Sequence, residues 1–305
     1  SDSRSEWRMT CIAIFAALLL ISAPGIAQEL EPRSLTNVPT GTNFAMMLYG
    51  FASGNMLFDP ALPLEDVNAR IHSIAGVYVR SFNFLGMGAK SNIVLPYAHG
   101  NWDGNYLGID TALTRSGMAD LRLGFSFNFI GSPALEKDKF SSYSQKTIAG
   151  FSFQMVAPTG QYFDDKLINI GSKRWAFRPQ LGISHQLSSW FIEYYLNVWL
   201  YTTNSSFLVD NTLKQQPIGA LKVHVINSFK KGIWAAVGAA YAHGGRTFIN
   251  DEKRDSNISV IRYGAVVAVP VHPQHSFKLK FTSTRRFEEG PEFEAINLSY
   301  QFMWF

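Results

Sequence analysis

The chain of 305 residues is 47% hydrophobic and 14% aromatic and carries a formal net charge of +4, yet its mean hydropathy is −0.01. Beyond residue 27 no run approaches the ~20 apolar residues of a membrane helix; the longest, 233–242 and 264–271, reach about half of that. The single cysteine, Cys11, excludes a disulfide framework or thiolate metal centre in the rest of the chain. Basic residues are dispersed with no continuous run, which argues against nucleic acid despite a pI of about 9.0.

At the N-terminus Arg4 and Arg8 precede an apolar stretch from Cys11 to Leu20 that continues to Ala23, followed by Pro24 and Gly25. Gly25-Ile26-Ala27 is a small-x-small cleavage sequence, so residues 1–27 are expected to be a cleaved secretory signal peptide and 28–305 a single domain. A membrane anchor fits less well, because the run is short and no basic stop follows it. Cys11 stands at the start of the apolar core, not at its end where a lipid-accepting cysteine belongs.

From residue 43 onward the dominant signal is period-two alternation, which puts every second side chain on one face of a strand. The spacing predicts about twelve strands: 43–52, 70–84, 90–98, 119–130, 147–157, 174–186, 190–202, 217–229, 233–242, 258–271, 275–284 and 294–305. In 119–130, Leu121, Leu123, Phe125, Phe127 and Phe129 oppose Asp120, Arg122, Gly124, Ser126 and Asn128. In 190–202, Ile192, Tyr194, Leu196, Val198 and Leu200 oppose Glu193, Tyr195, Asn197 and Tyr201. Long polar links (53–69, 99–118, 158–173, 203–216, 243–257, 285–293) alternate with short ones (85–89, 187–189, 230–232, 272–274), with 131–146 a longer exception.

A soluble sandwich would bury the apolar row against a second one. Here charges recur within the strands opposite that row, and aromatic residues cluster near strand ends, at Tyr49 and Phe51, Phe82 and Phe84, Trp190, Trp199 and Tyr201, and Phe302 to Phe305. Both features fit an all-β, closed antiparallel transmembrane barrel of outer-membrane type, with lipid against the apolar row, aromatic girdles at the interfaces and both termini periplasmic. The expected location is the outer membrane of a Gram-negative cell. The expected partners are membrane lipid and the barrel-assembly machinery, through a last strand ending at Phe305. In that strand the apolar row is even-numbered and ends at Trp304, so Phe305 falls on the other face unless a bulge intervenes.

The segments Gly117-Met-Ala-Asp-Leu-Arg-Leu-Gly124, Phe129-Ile-Gly-Ser-Pro-Ala134, Ala157-Pro-Thr-Gly-Gln-Tyr162, Leu167-Ile-Asn-Ile-Gly171 and Lys173-Arg-Trp175, with the closing Tyr300-Gln-Phe-Met-Trp-Phe305, resemble the MetA-pathway of phenol degradation family of outer-membrane transporters. The resemblance runs through the whole chain after the leader and is strongest over 117–184. It implies an outer-membrane pore associated with uptake of aromatic or other hydrophobic compounds, with the small organic solute itself unspecified.

Catalytic chemistry has little support in the residues. His72, His99, His185, His243, His272 and His275 fall at strand ends or in loops, and there is no HExxH, CxxC or GxxxxGK[ST] motif. The pair His224 and Glu193 is the one candidate constellation, and a structural hydrogen bond is the simpler reading of it. Asn101 to Asp110 has oxygen ligands at loosely calcium-like spacing but reads first as an Asx/Gly turn. No cofactor is expected. Assigning faces by the alternation gives thirteen lumen-lining candidates: Asp120, Arg122, Arg174, Arg178, Glu193, Tyr195, Asn197, Trp199, Lys222, His224, Arg262, Lys278 and Lys280. Their positive bias predicts a passive, weakly anion-selective channel, Tyr195 and Trp199 offering stacking surfaces. A barrel enzyme, such as a lipid hydrolase or acyltransferase, and a closed structural or adhesion barrel are the alternatives.

Overall fold

A computed structural model describes residues 31–56, 64–106, 108–166, 168–229 and 232–305, and the expected leader over 1–27 lies outside them. The strands in chain order are β1 (Asn43–Asn55), β2 (Leu64–Phe84), β3 (Met87–Tyr106), β4 (Ile109–Met118), β5 (Leu121–Ile130), β6 (Thr147–Ala157), β7 (Ala176–Leu187), β8 (Trp190–Tyr201), β9 (Asn204–Phe207), β10 (Asn211–Gln215), β11 (Ile218–Ser228), β12 (Trp234–Gly244), β13 (Thr247–Ile249), β14 (Glu252–Lys253), β15 (Ile258–His272), β16 (His275–Arg286) and β17 (Glu292–Trp304). A one-turn helix, α1 (Lys137–Phe140), sits between β5 and β6.

Twelve strands close a barrel. β1, β2, β3, β5, β6, β7, β8, β11, β12, β15, β16 and β17 follow one another around the wall, each antiparallel to the next, and β17 returns to pair with β1. Closure leaves no open edge, the condition for a sheet in hydrocarbon. The alternation decides which way each side chain points. On β8, Phe191, Glu193, Tyr195, Asn197 and Trp199 are buried inside, while Tyr194, Leu196, Val198 and Leu200 are exposed outside. Leu196 is 57% exposed and Leu279 44%; Leu121, Phe125, Phe153 and Val223 lie on the same outward face, partly covered by their neighbours. An apolar surface of this extent around the whole wall suits lipid and would be a severe liability in water.

Several of the expected long loops carry strand residues, and within 53–69 β1 runs on to Asn55 and β2 already begins at Leu64. Residues 99–118 form a hairpin of upper β3 with β4, and 203–216 and 243–257 contribute β9, β10, β13 and β14 to a separate four-stranded sheet. Above the membrane both faces of a strand meet water, so the alternation is missing there: β4 reads IDTALTRSGM with almost every residue exposed or half-exposed. The would-be calcium loop is such a turn. Asn105 Oδ1 accepts from Gly108 N (2.7 Å) and its amide donates to Asp110 (3.2 Å); among the described residues no group of three metal-ligating side chains occurs. Phe305 lies just past the end of β17, exposed, with the Lys137 ammonium 4.2 Å from its ring centre.

Candidate functional site

Inside the barrel the short-turn end of the bore is crossed by residues 31–42, Glu-Pro-Arg-Ser-Leu-Thr-Asn-Val-Pro-Thr-Gly-Thr, which precede β1. Two prolines deprive this segment of donors and of helical regularity, so it satisfies its backbone on the wall. Starting at the β1 end, Gly41 N donates to Ser81 O (3.0 Å) and Thr40 N to Leu135 O (2.8 Å). The Asn37 amide donates to Pro133 O (3.0 Å). Lys90 Nζ clasps the carbonyls of Ser34 (2.7 Å) and Thr36 (3.2 Å), and Asn128 Nδ2 donates to Leu35 O (2.7 Å). The long 131–146 link therefore supplies part of the seat, through the carbonyls of Pro133 and Leu135. Its Tyr143 phenol, pushed up to about 12 by burial, stays neutral and donates to Gly131 O (2.7 Å).

Leu35 is seated where two inward-facing glycines leave room. A Cβ on Gly150 would lie 2.8 Å from Leu35 Cδ2, and one on Gly182 would lie 3.0 Å from Leu35 Cδ1. Leu35 packs with Ile148 and Tyr195, and Val38 joins an inner apolar cluster with Phe44, Phe191, Trp234, Val266 and Ala268. Arg33 takes a left-handed φ of 65°, a conformation held by surrounding contacts. Its guanidinium lies 4.3 Å from the Phe191 ring centre and 6.0 Å from that of Trp234.

Two carboxylates fasten the segment. Glu193, on β8, accepts from Arg33 N (2.7 Å), Tyr195 Oη (2.8 Å) and Ser184 Oγ (3.0 Å), and Tyr195 Oη also accepts from Ser34 Oγ (3.0 Å). Glu31, from the segment itself, pairs with Lys278 and with Lys280 (3.5 Å) on β16. The circuit thus touches β2, β3, β5, β8 and β16, on all sides of the bore.

Each of the thirteen residues singled out by alternation is buried, but they divide into groups. Glu193, Tyr195, Lys278 and Lys280 hold the segment. Lys222 donates to Gln180 Oε1 (3.3 Å), and Arg262 donates to Thr284 Oγ1 (2.8 Å) with its guanidinium 5.1 Å from the Phe293 ring centre. Arg178 covers Trp199 at 5.2 Å, and Trp199 stacks on Tyr201, so the tryptophan is no bare platform. Asn197 and His224 have side-chain nitrogens without a hydrogen-bond partner among the described residues. His224 faces Glu193 in register, yet the carboxylate bonds elsewhere. That geometry is a clasp and not a nucleophile with its base.

The other end is built differently. Asp120, at the break between β4 and β5, accepts from Gly160 N (2.8 Å), Ser172 N (2.9 Å) and Ser172 Oγ (2.5 Å), pinning the 158–173 loop. Ile168 and Ile170 of that loop are buried with Trp102, Phe207, Leu213 and Phe293 in an apolar lid. Arg174 bonds Gln215 (2.6 Å) at the same rim, and Arg122 lies buried on β5 below it. The alternation missed Lys90, although the parity of 90, 92 and 94 against Ile93 and Leu95 carries the signal. Among the described residues, the wall buries the cations Lys90, Arg122, Arg174, Arg178, Lys222, Arg262, Lys278 and Lys280 against the carboxylates Asp120 and Glu193, and the segment adds Glu31 and Arg33.

The family model described as MetA-pathway of phenol degradation matches residues 61–302. No curated protein sequence matches the chain. Among solved structures, the COG4313 outer membrane channel from Pseudomonas putida F1 is similar with a TM-score of 0.76 at 16% identity, over 90% of this chain and 100% of that one. The beta domain of the Bordetella autotransporter BrkA follows with 0.51 at 13%, over 87% and 100%. The transport unit of the autotransporter AIDA-I from Escherichia coli gives 0.50 at 10%, over 98% of each chain. At such identities the likeness establishes the fold, an outer-membrane type of barrel.

Proposed function

Because the chain belongs to the MetA-pathway of phenol degradation family, we propose that it is an outer-membrane channel for passive passage of small aromatic or otherwise hydrophobic organic solutes. The observation that carries this reading is the bore itself: a closed wall whose buried charges, among the described residues, are mostly cationic, crossed by a segment held through separable polar contacts. Fixed charges in a low-dielectric passage concentrate counter-charged solutes, so the passage prefers anions, and carboxylated aromatics cross faster than neutral ones of equal size. The similarity to a protein described as an outer membrane channel supports the same reading. The chain would be exported by its leader and inserted by the assembly machinery through its last strand. It needs no cofactor and catalyses no reaction.

Residues 31–42 act as a stopper that must move for passage. Planar-bilayer recordings under a salt gradient test the proposal. The expected reversal potential is that of a weakly anion-selective pore, diminishing as screening shortens the reach of the charges to about 8 Å near physiological ionic strength. A cation-selective pore, or a potential unmoved in Lys222→Gln/Lys280→Gln, would sink the anion-preferring bore.

A further inference from the structure

We propose that Lys278 and Lys280, with the aromatic wall formed by Trp234 and Phe191, are a binding site for an aromatic carboxylate, and that Glu31 and Arg33 occupy it as an internal mimic of that ligand. The inference rests on the channel reading above, and it names the ligand and its competitor.

Lys278 and Lys280 are alternate residues of β16, so both ammonium groups enter the bore from one patch of wall. Their cross-strand partners on β15 are Ala268 and Val266, and Trp234 on β12 is in register with Ala268. Two strand spacings, about 10 Å, therefore separate the lysine row from the indole row, with only small or aliphatic side chains between. Phe191 and Trp234 belong to the same inner apolar cluster as Val266 and Ala268. The patch is amphipathic: two cations at one edge, a dry aromatic surface at the other.

The segment fills both halves with matching chemistry. The Glu31 carboxylate sits on the two lysines, its side chain and theirs all under 10% exposed. Two residues on, the planar Arg33 guanidinium lies over Phe191 and near Trp234, where a flat aromatic ring would stack equally well. The Glu31 carboxylate bridges two buried ammonium groups, so a ligand that brings its own carboxylate can take that place while Glu31 moves out to water. A neutral ring could take the place of Arg33 but would bring no carboxylate to the position Glu31 vacates between the two lysines, a costly loss in a buried site. Selectivity for the carboxylate follows from that asymmetry, and so does gating: the ligand that binds is the one that evicts the stopper.

Tethered competition also fixes a measurable relation. The apparent affinity of the ligand is its intrinsic affinity reduced by the fraction of molecules in which Glu31 has left the lysines. Removing the Glu31 charge should thus tighten benzoate binding by on the order of tenfold or more, while removing the lysine charges should abolish it.

The experiment uses the full chain in detergent micelles and in planar bilayers, with benzoate and its neutral isostere benzamide as probes. Folded protein is selected by heat-modifiable migration on gels. Calorimetric titration should show benzoate, and not benzamide, binding the native chain, with tighter binding in Glu31→Gln and none in Lys278→Gln/Lys280→Gln; Lys278→Met repeats the test with an uncharged side chain of similar length. Benzoate should raise the open fraction of the native pore and add little in Glu31→Gln, already more open. Benzoate affinity unchanged by Glu31→Gln, or equal binding of benzamide, overturns the proposal while leaving an anion-preferring pore intact. The expected titrations in a protein that never conducts would instead uphold the site and remove the channel reading.

Discussion

The backbone N–H of Arg33 donates to the carboxylate of Glu193 across 2.7 Å, although 160 positions separate the two residues. Tyr195 and Ser184 supply the other donors, so one wall carboxylate organises both the wall and the segment that crosses it. A hydrogen bond to a charged acceptor contributes about 1.5–3 kcal/mol. Glu193→Gln should therefore shift the closed-to-open ratio of the stopper about tenfold or more towards open, read as the open fraction in single-channel records. An unchanged fraction would mean that the segment is held without this contact.

Gly182→Val tests the seat of Leu35. The added Cβ would approach the Tyr195 ring to 2.6 Å and Leu35 Cδ1 to 3.0 Å, and overpacking of this kind costs about 1–3 kcal/mol. The barrel should still fold, because Gly182 lies in the regular middle of β7 and the clash falls partly on the movable segment. Conductance should rise in vesicle-swelling assays with small sugars. Equal swelling rates for variant and native protein would show that Leu35 does not set the position of the segment.

Asp120→Asn should loosen the rim opposite the stopper. The substitution keeps the shape but removes the charge that gathers Gly160 and Ser172. Trypsin should then cut faster at Lys166 and Lys173, both on the 158–173 loop, and the cleavage rate on reconstituted protein measures it. In the same loop Lys166 already holds the Asp165 carboxyl below its ordinary range by a direct hydrogen bond, a surface pair whose loss in Asp165→Asn should leave the rate at Lys173 unchanged.

Leu196→Arg probes the outer face. Leu196 is 57% exposed at the middle of β8, and arginine at the midplane of a lipid-facing strand costs about 2–4 kcal/mol. Urea unfolding from phospholipid vesicles should show a loss of that order. A neutral outcome would place β8 outside the hydrocarbon.

The wall was legible because lipid on one side and a crowded bore on the other force each strand into strict alternation; Leu121 to Phe129 and Ile192 to Leu200 announce their faces residue by residue. Where that pressure ends, so does the signal. Residues 99–118 pair as strands in water with no apolar row to reveal them. Residues 31–42 have no periodicity at all, since their structure is dictated by partners such as Lys90, Asn128 and Glu193 that are remote in the chain. Parity likewise tells that Asp120 points inward but not that it grips a loop 40 and 52 positions away.

The seam between β1 and β17 joins the two ends of the wall in unbroken register, from Asn43 opposite Trp304 to Asn55 opposite Glu292. Until β17 is made, β1 presents a bare ladder of donors and acceptors that hydrocarbon cannot tolerate, so membrane residence is withheld from every nascent chain short of its last strand. Such a long-range pairing is entropically slow, and it is completed on the strand to which residues 31–42 are directly fused. Zipping the wall and placing the stopper at its inner mouth are consequently events at one locus, and a chain that fails at the zipper never becomes a leak.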